Sequence, residues 1–195
     1  MIEYIKGVIT DMNPACLVIE SAGIGYFVNI SLNTYTELNG KGPEEIILPV
    51  HEVIREDARL LFGFAGRAER ELFRLLISVN GVGPNTARMV LSSLKPSEIE
   101  KAISDSNVNQ LKSVKGIGLK TAERIIVDLR DKVGKVTGAA EFFAHRDNTI
   151  RDEALSALTM LGFVRSASIK VIDKLLTENK DLTVEELIKH ALRNL

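Results

Sequence analysis

The 195-residue chain has no tryptophan and a single cysteine, Cys16. One cysteine excludes intramolecular disulfides and any cysteine-based zinc cluster, and its neighbours Leu17, Val18 and Ile19 predict a buried small side chain. Long apolar runs are missing too. No stretch approaches the ~20 apolar residues of a membrane span, and Met1–Gly7 lacks the charged and apolar regions of an export signal. A soluble, cytoplasmic protein without membrane contact is expected. The net charge of −1 argues against a general nucleic-acid coat, while 45% hydrophobic and 26% charged residues exclude wholesale disorder.

The near-neutral total conceals an uneven distribution. Residues 1–64 hold four basic and nine acidic side chains, residues 65–135 thirteen and eight, and residues 136–195 eight and nine. An electrostatic footprint on phosphate is therefore expected in the middle segment.

Patterning divides the chain in the same places. Up to Phe64, five short apolar runs (Tyr4–Ile9, Leu17–Glu20, Tyr26–Ile30, Ile46–Val53, Leu60–Phe64) separated by Asn13-Pro14 and Gly23-Ile24-Gly25 predict a small OB-like β-barrel. From Arg67 the apolar spacing turns helical, with further helices expected at 97–103, 107–114 and 119–133. Residues 135–148 are rich in small residues and predict a linker, although Phe142-Phe143 suggests that part of it docks. Thr149 and Asp152 have capping-box spacing, Gly162 stands at a helix end, and helices at 166–176 and from Thr183 to Leu192 complete a three-helix, UBA-like bundle. The expected fold is multidomain α+β: a barrel over 1–64, an all-α domain over 65–134, a linker over 135–148 and the bundle over 149–195.

The middle segment repeats one pattern at an offset of 35 residues. Leu76-Ile77-Ser78-Val79-Asn80-Gly81-Val82-Gly83-Pro84-Asn85-Thr86-Ala87-Arg88 matches Leu111-Lys112-Ser113-Val114-Lys115-Gly116-Ile117-Gly118-Leu119-Lys120-Thr121-Ala122-Glu123-Arg124 in order. Each reads as helix, Gly-apolar-Gly, helix: a tandem helix-hairpin-helix. Glycines permit positive φ and close backbone approach, so successive amides and a helix N-terminus can face one phosphate without reading a base. The DNA-contact set is Asn80, Gly81, Val82, Gly83, Asn85, Thr86 and Arg88, with Gly116, Ile117, Gly118, Lys120, Thr121 and Arg124. Each Gly-x-Gly taken alone is equally a tight turn between packed helices; two copies in a basic segment favour phosphate. Neither has the Gly-x-x-x-x-Gly-Lys-Ser/Thr of a nucleotide-binding loop, and no cofactor or metal is expected.

These motifs, with Met1-Ile2, Lys6-Gly7, Gly25-Tyr26, Arg55-Glu56-Asp57-Ala58, Leu61-Phe62-Gly63-Phe64, Ala157-Leu158 and Leu161-Gly162-Phe163, resemble the RuvA family of bacterial Holliday-junction-binding proteins over essentially the whole chain. The resemblance implies sequence-independent binding of four-way junction DNA, held open for branch migration in recombination and repair. It implies a homotetramer, single or paired, a RuvB-type hexameric ATPase as motor, and a RuvC-type resolvase as a further partner. The chain itself is then non-catalytic. The resemblance makes Glu56 and Asp57, flanked by Arg55, an acidic pin at the junction centre; taken without it they are a solvated hairpin tip. It makes Leu158, Leu161, Phe163 and Leu192 the motor-binding positions, with bundle core as the rival for Leu158 and Leu161 and exposure favoured for Phe163. Asn85 stands where the family usually has Lys, and Lys115 where it usually has Pro.

Two rivals remain. A helix-hairpin-helix glycosylase would use Lys120 as nucleophile, but Asp128 and Asp131 follow too soon to lie on a separate catalytic loop. A DNA-end scaffold would use the same hairpins, but the acidic first segment suits it poorly.

Overall fold

Residues 1–40, 42, 44–133, 150–179 and 182–195 are described in the computed structural model. Strand β1 (Tyr4–Asn13) serves two neighbours in turn. Tyr4 to Gly7 pair antiparallel with β4 (Ile46–Ile54), and from Val8 the strand pairs with β2 (Cys16–Ser21). At the changeover a side chain on Gly7 would run into the backbone of Glu20. Strand β3 (Ile24–Ile30) lies antiparallel to β2 and parallel to β5 (Arg59–Gly63), and β5 returns antiparallel to β4. The five strands close a barrel in the order β1-β2-β3-β5-β4. Leu17, Ile19, Val28, Ile30, Leu48 and Val50 fill it, as the two-residue period of strands requires. Cys16 is only half-buried and accepts a hydrogen bond from the Asn13 amide group.

Helix α1 (Leu32–Leu38) has no counterpart among the sequence expectations. Seven residues are too few to show a helical period, and Ser31, whose hydroxyl accepts the Thr34 amide, is its main local signal. Five helices follow: α2 (Arg67–Ile77), α3 (Pro84–Ser93), α4 (Pro96–Ser104), α5 (Val108–Lys112) and α6 (Leu119–Val133). Pro84 and Pro96 open α3 and α4, where a missing N–H costs nothing.

The helical core does not stop at the change of pattern after Phe64. Phe62 and Phe64 belong to it, with ring centroids 5.1 and 5.0 Å from that of Phe73, and Val53 and Leu60 pack against it. Barrel and helices thus share one compact unit, Met1–Ala140. Polar contacts reinforce the joint. Arg70 and Arg74 both bond the Glu3 carboxylate and Glu71, and Arg74 also donates to His51 Nδ1. Glu69 is buried, and its carboxylate accepts from the hydroxyls of Ser31 and Thr34 and the amide of Ala65.

The second unit, Glu141–Leu195, contains α7 (Ile150–Met160), α8 (Arg165–Glu178) and α9 (Val184–Ala191) around Ala154, Leu155, Leu158, Ile172, Leu182, Leu187 and Ala191. Gly162 ends α7 at φ +95°, with the Phe163 amide returning to the Leu158 carbonyl. Thr183 and Glu186 form the expected capping box. The expected linker 135–148, its Phe142-Phe143 and the Thr149 cap lie outside the described residues.

Burial pushes the Glu69 carboxyl above the usual glutamate range, against the pull of the two hydroxyls and the Ala65 amide. The folded chain therefore holds a proton that the unfolded chain has released, so stability falls as pH rises through the window just above the ordinary glutamate range. Glu69→Gln should flatten that slope in thermal melts. Glu69→Ala, which leaves the Ser31 and Thr34 hydroxyls without their acceptor while the Ala65 amide keeps Thr34 Oγ1, should cost about 1–3 kcal/mol by urea unfolding.

Candidate nucleic-acid interface

The two Gly-x-Gly segments adopt one conformation. In the first, the Val82 amide bonds the Val79 carbonyl at 3.0 Å and the Ala87 amide bonds Gly83 at 2.9 Å; in the second, Ile117 bonds Val114 at 3.1 Å and Ala122 bonds Gly118 at 2.9 Å. Gly81 and Gly116 both sit at φ +93°. The apolar residue between each pair of glycines, Val82 or Ile117, points into the core, so the glycines themselves face outward.

The paired glycines have different reasons to be glycine. Gly81 and Gly116 occupy the left-handed region, which side chains resist. Gly83 has φ −85° and ψ 169°, ordinary for any residue, and a Cβ on Gly83 or Gly118 would meet no protein atom within 4 Å. Among the described residues nothing demands glycine there, and the open space would admit a closely approaching backbone from outside. Beyond them the first-turn amides of Asn85 and Thr86, and of Leu119, Lys120 and Thr121, have no carbonyl partner within their helices. Each helix presents its positive end at the same place.

The surrounding charge is unequal. Lys112, Lys115, Lys120 and Arg124 are exposed around the second hairpin, and Lys120 and Arg124 share a face of α6, the latter loosely paired with Asp128 at 4.0 Å. At the first hairpin Asn85 and Asn80 are exposed but uncharged. Arg88, expected at the phosphate, turns to the barrel: its Nη1 donates to the Ala15 carbonyl at 3.0 Å and to Asn29 Oδ1 at 3.3 Å. At the 35-residue offset its counterpart is Glu123, and Arg124 corresponds to the partly exposed Met89.

Arg55, Glu56 and Asp57 are exposed in the turn joining β4 to β5, closed by the Arg55 amide on the Ala58 carbonyl at 2.8 Å. On the strands below, Arg59 bonds Glu52 and holds its carboxyl below the usual range. Among the described residues Glu56 and Asp57 have no ion-pair partner, so the tip carries two uncompensated carboxylates. Exposed Ile54 beside it, at 65%, was not anticipated.

Comparison with known proteins decides the family. Residues 1–63 match the RuvA N terminal domain, residues 73–131 the SAM-like Helix-hairpin-helix tandem, and residues 149–195 the RuvA, C-terminal domain. Proteins named Holliday junction branch migration complex subunit RuvA from Christiangramia forsetii, Bacteroides fragilis and Porphyromonas gingivalis are 50%, 52% and 48% identical, each over the full length of both chains. The chain belongs to the RuvA family.

In this RuvA-family chain the C-terminal unit corrects two expectations. Leu158 is fully buried in the bundle core, out of reach of a partner, and Phe163 packs against that core instead of projecting. The left-handed turn at Gly162 folds Phe163 back, leaving Leu161 outside at 60% exposure and Leu192 at 43%. Met160 at 87% and Val164 at 69% extend the apolar surface and were missed, although the run Met160-Leu161-Gly162-Phe163-Val164 carries too many apolar residues for one core-facing stripe. Among the described residues no helix is long and apolar enough to cross a membrane.

Gly81→Ala and Gly116→Ala should each lower stability by about 1–2 kcal/mol, the cost of a side chain in the left-handed region. Gly83→Ala and Gly118→Ala should leave the melting temperature nearly unchanged and weaken DNA binding in an anisotropy titration; unchanged binding would mean no backbone approaches there. In the bundle, Leu158→Ala should cost about 2–5 kcal/mol, whereas Leu161→Ala should stay within about 0.5 kcal/mol by urea unfolding.

Proposed function

We propose that this chain is the junction-binding subunit of a branch-migration complex. The observation that carries this reading is the duplicated hairpin, whose outward glycines and free helix-end amides suit two phosphate contacts per copy of the chain, in the same unit as an uncompensated acidic turn. Phosphate contacts position DNA without reading sequence, as a subunit acting on any crossover requires. Gly81, Gly83, Asn85 and Thr86 would hold one backbone through amides, and Gly116, Gly118, Lys120, Thr121 and Arg124 another with added charge. The functional divisions are the barrel over 1–64, the hairpins over 65–134 and the bundle over 149–195.

In a four-fold assembly of such chains, alone or as paired tetramers, the Glu56–Asp57 turns converge on the crossover. Carboxylates facing phosphates raise the electrostatic cost of closing the strands there, and Arg55 beside them offers a backbone contact. The chain performs no bond chemistry in this scheme. A RuvB-type hexameric ATPase supplies the work, held by the apolar surface of Leu161, Leu192, Met160 and Val164, and a RuvC-type resolvase acts on the opened junction. This places the protein in the cytoplasm with the chromosome.

Binding to a four-way junction and to a duplex of equal length, titrated across salt, tests the reading. Strong junction preference is expected, with affinity falling steeply as salt rises. Glu56→Ala with Asp57→Ala should retain binding and lose the fluorescence of 2-aminopurine unstacked at the crossover. Equal affinity for duplex and junction would sink the proposal.

A further inference from the structure

Helix α3 begins at the first hairpin, and the acidic turn ends a barrel hairpin; Arg88 and Asn29 lie between them. We infer that these two are positioning residues, setting the first phosphate site at a fixed distance from the Glu56–Asp57 turn so that backbone capture places the carboxylates. The inference rests on the junction-binding reading above.

The connection can be followed atom by atom. Arg88 Nη1 donates to the Ala15 carbonyl and to Asn29 Oδ1. Ala15 lies in a braced turn: its carbonyl also accepts the Ile30 amide at 3.0 Å, and Asn13 Oδ1 accepts the amides of Ala15 and Cys16 at 2.9 and 3.1 Å. Asn29 uses the other end of its side-chain amide to donate to the Leu61 carbonyl at 3.2 Å, so both ends are engaged and its orientation is fixed. Leu61 belongs to β5, which pairs with β4 through Leu60 to Val53 and Arg59 to Ile54 up to the acidic turn.

The other end of α3 is held separately. Asn33 on α1 donates to the carbonyls of Leu91 and Leu94, and the Leu32 amide donates to Ser92 Oγ. The end nearer the hairpin is tied to the barrel by Arg88, one turn beyond the Gly83 carbonyl that accepts the Ala87 amide. Both acceptors of Arg88 are uncharged, so its positive charge is used for reach and direction and not for neutralising a carboxylate. Glu123, its counterpart in the second hairpin, is exposed. The tie is specific to the first copy.

The test uses the full chain with Arg88→Met, Asn29→Ala and Arg88→Lys, measuring melting temperature, duplex and junction affinity across salt, and 2-aminopurine fluorescence at the crossover. Arg88→Met and Asn29→Ala should keep wild-type duplex affinity and salt slope, while the junction-to-duplex ratio falls about fivefold or more, an ordinary coupling between two sites. The crossover fluorescence should fall with it, and Arg88→Lys, retaining one donor, should recover part of both. If Arg88→Met weakened duplex and junction equally with a shallower salt slope while Asn29→Ala changed nothing, Arg88 would be a phosphate contact and the inference wrong. A lower melting temperature with ratio and fluorescence unchanged would also overturn it, leaving only a structural brace. Wild-type protein without junction preference would overturn the junction-binding reading itself.

Discussion

The ring of Phe73 receives Phe62 and Phe64 from the last barrel strand and His51 from its neighbour, and through this contact two differently patterned segments share a core. A barrel joined to helices by a loop alone would leave the acidic turn free to wander relative to the hairpins. Here Val53 and Leu60, at the base of that turn, pack on the same core that Val82 and Ile117 enter from the hairpins. The geometry of the site is thus a consequence of apolar packing. The Glu3–Arg70–Arg74–Glu71 pairs and the buried Glu69 add direction to a joint that burial already closes.

The basic character of the middle segment is only partly available to a ligand. Arg70 and Arg74 are committed to Glu3 and Glu71, and Arg88 to the barrel, while Lys112, Lys115, Lys120 and Arg124 stand exposed around the second hairpin. The first hairpin offers amides and a helix end with little side-chain charge, the second offers the same frame with lysines and an arginine. Contacts to backbone amides and a helix end depend less steeply on ionic strength than contacts to exposed ammonium groups. The two halves of the candidate interface therefore differ in physical kind despite their shared backbone.

Much of this was legible in the sequence, for identifiable reasons. The short apolar runs Leu17–Glu20 and Tyr26–Ile30, bounded by turn residues, are what strands leave in a sequence, and Leu119–Val133 carries enough turns for its helical period to stand out. Helix α1 is too short for that test. The outward face of the hairpins followed from the glycines, but the direction of Arg88 did not, because a basic residue near a candidate site says nothing about which way its helix has rotated. Strict use of the 35-residue offset would have paired Arg88 with Glu123 and warned against treating it as the partner of Arg124. The exchange between Phe163 and Leu161 has a similar cause: hydrophobicity identifies both as apolar, and only the left-handed Gly162 decides which folds inward.

The barrel closes through the parallel pairing of β3 with β5, and every strand has a neighbour on each side. Among the described residues no strand is a bare edge along its whole length: Val8–Asn13 of β1 and Ile24–Phe27 of β3 pair on one side only, which leaves another chain two short stretches to extend. Exposed Tyr4, Phe27 and Ile47 give copies of this protein side-chain surface through which barrels can meet. Closing the barrel confines the template for strand addition to stretches of a few residues, which gives crowded copies of the chain little length of backbone on which to build a fibre.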